Sequence, residues 1–158
     1  MQAIKNALKA TILSALLLTA ETAGAQQVRI SKLVDVNFGA ITNFTTDLTK
    51  SQSMCVYSTN KYQISASGSG PASAFSLASG SRTMPYEVQW SATAGQTIGT
   101  ALLTGNPLLN LATAANSSAC SNNPATSASL IIILRSSAVQ AAAAGNYTGT
   151  LSLLIAPN

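Results

Sequence analysis

The strongest constraint on the fold is a period-two pattern of apolar residues in the last segment of the sequence, "NYTGTLSLLIAPN". Alternation of this kind is typical of a β-strand with one buried face and one face in water. We expect this strand over residues 147–155, with Pro157 ending it. One face of the predicted strand carries Tyr147, Gly149, Leu151, Leu153 and Ile155.

Similar short segments run through most of the sequence, separated by turns rich in Gly, Pro, Asn and Ser. The clearest predicted strands are Val28–Gly39, Ser53–Ser58, Lys61–Gly68, Met84–Trp90 and Ala128–Ser136. The second and third are joined by "STN" and predict a hairpin. Ala138–Gly145 predicts one helical turn, ended by Gly145. About seven to nine short strands with so little helix predict an all-β fold, an antiparallel sandwich of immunoglobulin-like type.

The N-terminal segment has the composition of a secretory signal peptide. Lys5 and Lys9 precede an apolar run of eleven residues, Ala10–Ala20. That run is shorter than the roughly 20 residues needed to cross a bilayer. "AGA" at Ala23–Ala25 fits a cleavage site. We therefore expect residues 1–25 to direct export and residues 26–158 to form a single domain.

Few residues are available for acid–base or metal chemistry. Charged residues make up 8% of the sequence, and histidine is absent. Residues 26–158 hold the carboxylates Asp35, Asp47 and Glu87, which are far apart and expected on solvated strand faces or in a turn. Because catalysis needs groups that move protons or hold metals, we expect no enzyme, no metal site, no cofactor and no small-molecule substrate. The basic residues are scattered singly, which argues against nucleic-acid binding.

Two short motifs match catalytic or binding patterns by composition alone. "STNK" (Ser58–Lys61) has the S-x-x-K spacing of serine acyltransferases, but it falls at a predicted turn and not at the start of a helix. "SGSGP" (Ser67–Pro71) is rich in glycine, but no strand-to-helix transition follows it. We interpret both as turns.

The chain has two cysteines, Cys55 and Cys120. In an exported protein these are expected to form a disulfide. Two cysteines without histidine do not supply a plausible zinc site, and the sequence has no CxxC motif.

The last predicted strand is strongly apolar, and no further strand is predicted to lie beside it. We therefore expect a sandwich that lacks its final strand and exposes apolar side chains and unpaired backbone groups at this edge. An edge of this kind is a template for a strand from another chain.

In four stretches the sequence resembles pilin domains of chaperone–usher pili, above all the spore coat protein U-like subunits of the archaic type. "VNFG" (Val36–Gly39) is similar to the family's apolar-x-Phe-Gly near the first strand. Met54–Ile64 resembles its cysteine strand followed by a tyrosine strand, and Arg82–Trp90 resembles its central segment. Ala144–Pro157 resembles its C-terminal strand, aGxYxxTLxxxI, which is the most specific of the four.

The resemblance implies an incomplete immunoglobulin-like sandwich that a partner completes. A periplasmic chaperone would lend the missing strand, and an outer-membrane usher would exchange it for the N-terminal extension of a neighbouring pilus subunit. The product would be a cell-surface fibre serving adhesion or biofilm formation. The groove is expected between Val28–Phe38 and Tyr147–Ile155, lined by Val34, Val36, Phe38, Tyr147, Leu151, Leu153 and Ile155.

The sequence departs from the family pattern at two points. The family's strand cysteine usually pairs with one in or near the first strand, whereas here the partner is Cys120, so the disulfide would join different strands. The segment available as a donor extension, Gln26–Leu33, also belongs to the predicted first strand, which leaves tip or minor-subunit placement open. Two other functions stay open: a self-contained secreted coat or matrix protein, and a carbohydrate-binding module with Trp90 and Tyr86 as its platform.

Overall fold

The computed structural model describes residues 26–121 and 124–158. The predicted signal peptide, residues 1–25, lies outside the described residues. The described part contains ten β-strands, a 3-10 turn at Pro71–Ser73 and one short helix, α1, at Ser136–Ala141. The strands are β1 Val28–Ser31, β2 Leu48–Ser58, β3 Tyr62–Gly68, β4 Ser76–Ser79, β5 Arg82–Pro85, β6 Glu87–Ser91, β7 Thr100–Leu102, β8 Leu108–Leu111, β9 Ala128–Leu134 and β10 Leu151–Pro157.

The strands form two main sheets and a small hairpin. The larger sheet has the order β1-β2-β9-β6-β7, the smaller has the order β10-β3-β8, and β4 pairs with β5. Every pair of neighbouring strands is antiparallel. The prediction of an incomplete, immunoglobulin-like antiparallel sandwich is confirmed.

The core lies between the two main sheets and is built from alternate residues of their strands. Val88 and Trp90 of β6 face it, and so do Tyr62 and Ile64 of β3; each of these side chains is buried. The alternation predicted for the Trp90 segment is therefore correct, because Glu87 on the opposite face is exposed. Burial of these large apolar side chains is the main source of the stability of the sandwich.

Strand β9 is covered on both faces, as its continuous apolar sequence predicts. Ile131 on its outer face is fully buried, under the loop 92–99. The hydroxyl of Ser129 accepts a hydrogen bond from the Gln96 N–H (3.0 Å) and donates one to the Thr93 carbonyl (2.9 Å). These bonds hold the loop against the centre of the larger sheet.

The predicted first strand, Val28–Gly39, is wrong in its extent. Strand β1 ends at Ser31, because Lys32 adopts a left-handed backbone conformation with φ 64°. Such a conformation breaks the regular extension that a strand needs. The predicted hairpin of Ser53–Ser58 with Lys61–Gly68 is also wrong, since β2 and β3 belong to different sheets. Both strands turn apolar residues toward the same core, because the chain passes from one sheet to the other between them.

Several other boundaries differ from the sequence prediction, among them the start of β2 at Leu48 and not at Ser53 and the end of β9 at Leu134 and not at Ser136. The Met84–Trp90 strand is divided at Tyr86, whose N–H donates to the Phe75 carbonyl (3.0 Å) where the chain passes from β5 to β6. The helix α1 ends at Ala141, before the predicted Gly145. The last strand begins at Leu151, not at residue 147, because Thr148 instead forms an isolated bridge with Ala78 of β4.

Candidate functional site

The sandwich is open along one side, where β1 and β10 lie next to each other. Each is the edge strand of its sheet, and the two approach closely without pairing. We call this region the open seam; it comprises β1, the irregular segment 32–41 and β10.

The backbone of β10 offers hydrogen-bonding groups to the open seam. The Asn158 N–H donates to the Lys61 carbonyl (3.0 Å), so these two residues form a hydrogen-bonded pair in the ladder between β10 and β3. Since such pairs alternate along an antiparallel ladder, the N–H and C=O groups of Leu151, Leu153 and Ile155 point away from β3. They face the seam, and no described strand pairs with them.

The backbone of β1 has the same arrangement on the other side of the seam. The Thr59 N–H donates to the Gln27 carbonyl (3.0 Å), and the register then assigns ladder bonds with β2 to Arg29 and Ser31. The N–H and C=O groups of Val28 and Ile30 consequently point away from β2. The seam is thus bordered by unpaired backbone groups from both sheets.

The floor of the open seam is apolar. Half-buried side chains reach the core cluster from both borders: Val28, Ile30, Phe38, Ile41, Leu151, Leu153 and Ile155. On β1 and β10 these are the residues whose backbone faces the seam. The seam therefore presents apolar side chains and main-chain hydrogen-bonding groups together, which is the pair of features that an added β-strand uses.

The predicted groove residues fall into three groups. Phe38, with Leu151, Leu153 and Ile155, packs against the core at the open seam. Val36 is half-buried, whereas Val34 is 67% exposed. Tyr147 precedes β10; its ring packs against the core and its hydroxyl donates to the Ala143 carbonyl (3.0 Å).

Sequence reasoning missed Val28, Ile30 and Ile41 as seam residues. The apolar alternation of "VRI" is the signal that could have identified the first two. Ile41 lies in an irregular segment, so no periodicity marks it.

Cys55 and Cys120 form a disulfide, with their Cα atoms 6.0 Å apart. It joins β2 to the loop that follows β8, and not to another strand as the sequence had led us to expect. Both cysteines are buried beside Ala115 in a small cluster separate from the main core. The Ser127 hydroxyl fixes the same loop, because it accepts from the Val56 N–H (2.8 Å) and donates to the Val56 carbonyl (2.7 Å).

Two of the three carboxylates form an ion-pair cluster at the surface. The Arg135 guanidinium donates to Glu87 (Nε to Oε1, 2.8 Å) and to Asp47 (2.7 Å), and Asp47 also accepts from the Ser136 N–H (2.8 Å). The Arg135 side-chain bonds lower the pKa of Glu87. The Ser136 N–H, followed by Arg135, lowers the pKa of Asp47. The sequence prediction of plain solvated residues missed this cluster, while Asp35 is exposed as expected.

Within residues 26–121 and 124–158, no group of three or more His, Cys, Asp or Glu side chains is placed to hold a metal ion. The described helix is too short to cross a membrane.

The other candidate motifs have structural roles. Trp90 is 1% exposed and Tyr86 is 7% exposed, so the interpretation of these rings as a carbohydrate platform is wrong. Ser58–Lys61 forms the turn before β3 and contains no helix. Gly68 lies so close to the Ala74 carbonyl that a Cβ atom would overlap it, which explains one glycine of "SGSGP" without a phosphate ligand.

The fold is similar to that of a protein solved in the chaperone–tip adhesin complex described as vital for synergistic activation of CFA/I fimbriae biogenesis. The TM-score is 0.56 and the identity is 20%, over 85% of this chain and 42% of that chain. A second match is the CsuC–CsuE chaperone–tip adhesion subunit pre-assembly complex from archaic chaperone–usher Csu pili of Acinetobacter baumannii, with TM-score 0.46 and identity 19%, over 83% and 39% of the two chains.

This chain spans less than half of either chain that it matches. Neither a protein-family model nor a curated protein sequence matches it. The first of the two structural likenesses supports the immunoglobulin-like sandwich fold.

Proposed function

We propose that this protein is a structural subunit of a surface fibre that is assembled by the chaperone–usher pathway through donor-strand exchange. The observation that carries the proposal is the open seam, in which unpaired backbone groups of β1 and β10 flank an apolar floor. A strand added there would pair its backbone with the free edge of β10 and cover the exposed part of the core.

An inserted strand would gain free energy from both burial and backbone hydrogen bonding. An inserted strand with four or five apolar side chains would gain roughly 1.5–3 kcal/mol for each one that is fully buried, or on the order of 10 kcal/mol in total. Backbone hydrogen bonds along the seven residues of β10 add to this. The likeness in fold to a protein from a chaperone–tip adhesin complex is in accord with such a role.

The proposal implies three partners and a route. A periplasmic chaperone fills the seam first, an outer-membrane usher exchanges the strand, and a neighbouring pilus subunit donates the final one. Residues 1–25 direct export to the periplasm, and the assembled fibre lies on the cell surface, where it serves adhesion or biofilm formation. In the family that the sequence resembles, this is the behaviour of spore coat protein U-like subunits.

We place the subunit at the tip of the fibre or in a minor position. Residues 28–31 of the candidate donor extension Gln26–Leu33 are already paired with β2, so this segment is engaged within its own domain. This pairing supports a role in which the subunit accepts a strand.

The proposal is tested by supplying the missing strand on the same chain. We would append about four Val-Thr pairs, the length of a common strand, after Asn158 through a Gly-rich turn. In one register the valines face the core. The control carries the same pairs in the order Thr-Val, which turns the threonines inward without changing the composition.

The strand with inward valines should give a soluble monomer that melts cooperatively, at least about 10 °C above the control. The chain without an appended strand should aggregate or be degraded when it is made without a chaperone. A self-contained coat or matrix protein would behave differently: the unmodified chain would be a stable monomer, and the two appended registers would melt alike. That result would reject the donor-strand proposal.

A further inference from the structure

The segment 33–38 follows β1 in the chain but does not extend its pairing with β2. In a straight continuation of β1 it would pair with β2, and the register of β1 would place residue 34 opposite residue 52. In the structure β1 ends at Ser31, and the Val34 N–H donates to the side-chain oxygen of Gln52 (3.1 Å). The segment therefore lies alongside β2 without joining its ladder.

The edge of β2 that this segment leaves has free backbone groups. Ladder bonds with β1 fall at Tyr57 and Cys55, and the alternation of an antiparallel ladder then directs the N–H and C=O groups of Ser53, Ser51 and Thr49 to the same side. These groups face no described strand. Closing segment 33–38 onto β2 would satisfy them, so the contacts made where the chain leaves β2, together with the packing of Phe38 on the core, determine its position.

Lys32 makes contacts at this point of the chain. Its backbone is left-handed, with φ 64°, which is unfavourable for a residue with a side chain. Its ammonium group donates to the Ala125 carbonyl (2.7 Å) and to the Cys120 carbonyl (3.1 Å). Both carbonyls belong to the loop that the disulfide with Cys55 fastens to β2. The ammonium contacts thus compensate for the unfavourable backbone at the point where the chain leaves β2.

We propose that Lys32 is a positioning residue for the open seam. Anchored to the disulfide-bonded loop, it keeps segment 33–38 off β2, so that Phe38 and the residues before it form the wall of the seam opposite β10. The disulfide acts through the same contact, because it fixes the loop that holds the ammonium group. This inference rests on the proposed function for its purpose, but its structural part is tested independently.

The first test measures amide hydrogen exchange in the full chain without an appended strand, refolded from denaturant into dilute solution so that exchange is recorded before the chain aggregates. In Lys32→Met, which keeps the length of the side chain but has no donors, amides of residues 33–38 and 48–53 should exchange more slowly, because the two segments pair. Lys32→Arg, which keeps donors for the two carbonyls, should exchange like the parent chain. Unchanged or faster exchange in Lys32→Met would overturn the positioning role, whatever the appended strands do.

The second test repeats the two appended strands in each background. In the parent chain, equal melting temperatures of the two registers reject donor-strand insertion itself. If the registers differ in the parent, Lys32→Met should reduce that difference by at least about 2 °C, and Lys32→Arg should restore it. A Lys32→Met substitution that lowers both melting temperatures equally would show a role in general stability and would overturn the proposal. The Cys55→Ala/Cys120→Ala variant should reproduce the effect of Lys32→Met, and adding Lys32→Met to it should change nothing further.

Discussion

The indole N–H of Trp90 donates a hydrogen bond to the hydroxyl of Tyr62, at 3.2 Å, across the interior of the sandwich. Trp90 belongs to the larger sheet and Tyr62 to the smaller one, and both side chains are buried. Burial raises the pKa of the Tyr62 phenol, so the hydroxyl stays protonated at neutral pH. The bond links the two sheets at one point inside the core.

Replacing Tyr62 with Phe should therefore destabilise the protein by more than removing the hydroxyl of an exposed tyrosine would. The Trp90 N–H would be left buried without an acceptor, which costs about 1–3 kcal/mol. The measurement is chemical denaturation of the variant against the parent, both carrying the appended strand. Tyr57→Phe is the matched control, since Tyr57 is only partly buried and lies outside this contact; a similar loss in both variants would contradict the role of the bond.

Leu153→Asp should abolish acceptance of a partner strand. The substitution places a carboxylate on the apolar floor of the open seam, at a cost of several kcal/mol. The variant should fail to co-purify with its periplasmic chaperone and should be degraded in the periplasm. Leu154→Asp provides the control, because Leu154 is the next residue of β10 but is 68% exposed on the opposite face. Its effect should stay within about 0.5 kcal/mol, and equal loss in both would mean that the seam is not the site.

The Cys55–Cys120 disulfide should be present in the exported protein and should contribute to its stability. It closes a loop of 65 residues in sequence separation, for which the chain-entropy model gives roughly 4 kcal/mol as an upper figure. Mass spectrometry of periplasmic protein should find no free thiol. Finding both thiols free would remove this prediction and, with it, the anchor assigned to Lys32.

The Arg135 cluster should make stability depend on acid pH. The pKa of Glu87 and that of Asp47 are both lowered in the folded state. Their contribution to stability is therefore present above the pKa values of the unfolded carboxyls, about 3.9–4.3, and is lost as the pH falls through the lowered folded values. Arg135→Gln should be less stable than the parent at neutral pH.

The control for this prediction is the pH itself. Below the lowered folded pKa values, where both carboxyls are protonated in the folded state as well, urea denaturation should give the same free energy of unfolding for Arg135→Gln and for the parent. A difference that is constant with pH would assign the effect of Arg135 to packing and not to its charge.

The fold class could be predicted because it depends on alternation within single segments. The Trp90 segment and the apolar strand β9 both follow their sequence patterns, since each packs where local periodicity directs it. The hairpin of β2 and β3 could not be predicted in the same way. A turn such as "STN" permits either a return in the same sheet or a crossing to the other sheet, and burial of Met54 and Tyr62 on a common core decides between them.

The two borders of the seam follow the sequence pattern to different degrees. Leu151, Leu153 and Ile155 are visible as a periodic row, but the other border depends on the left-handed conformation of Lys32. A lysine within an apolar alternation gives no sign of such a break. Its ammonium group contacts the carbonyls of Cys120 and Ala125, about 90 residues away in sequence, a distance over which a single-sequence pattern carries no signal.

The geometry of β10 also determines how a strand can move while it enters. The residues that turn their side chains to the core are the same ones that turn their backbone groups to the seam, so a displacement by one residue loses both kinds of contact at once. A displacement by two residues restores both. A strand sliding along the seam would therefore move in discrete steps of about 6.8 Å, because the positions between these steps lose both kinds of contact.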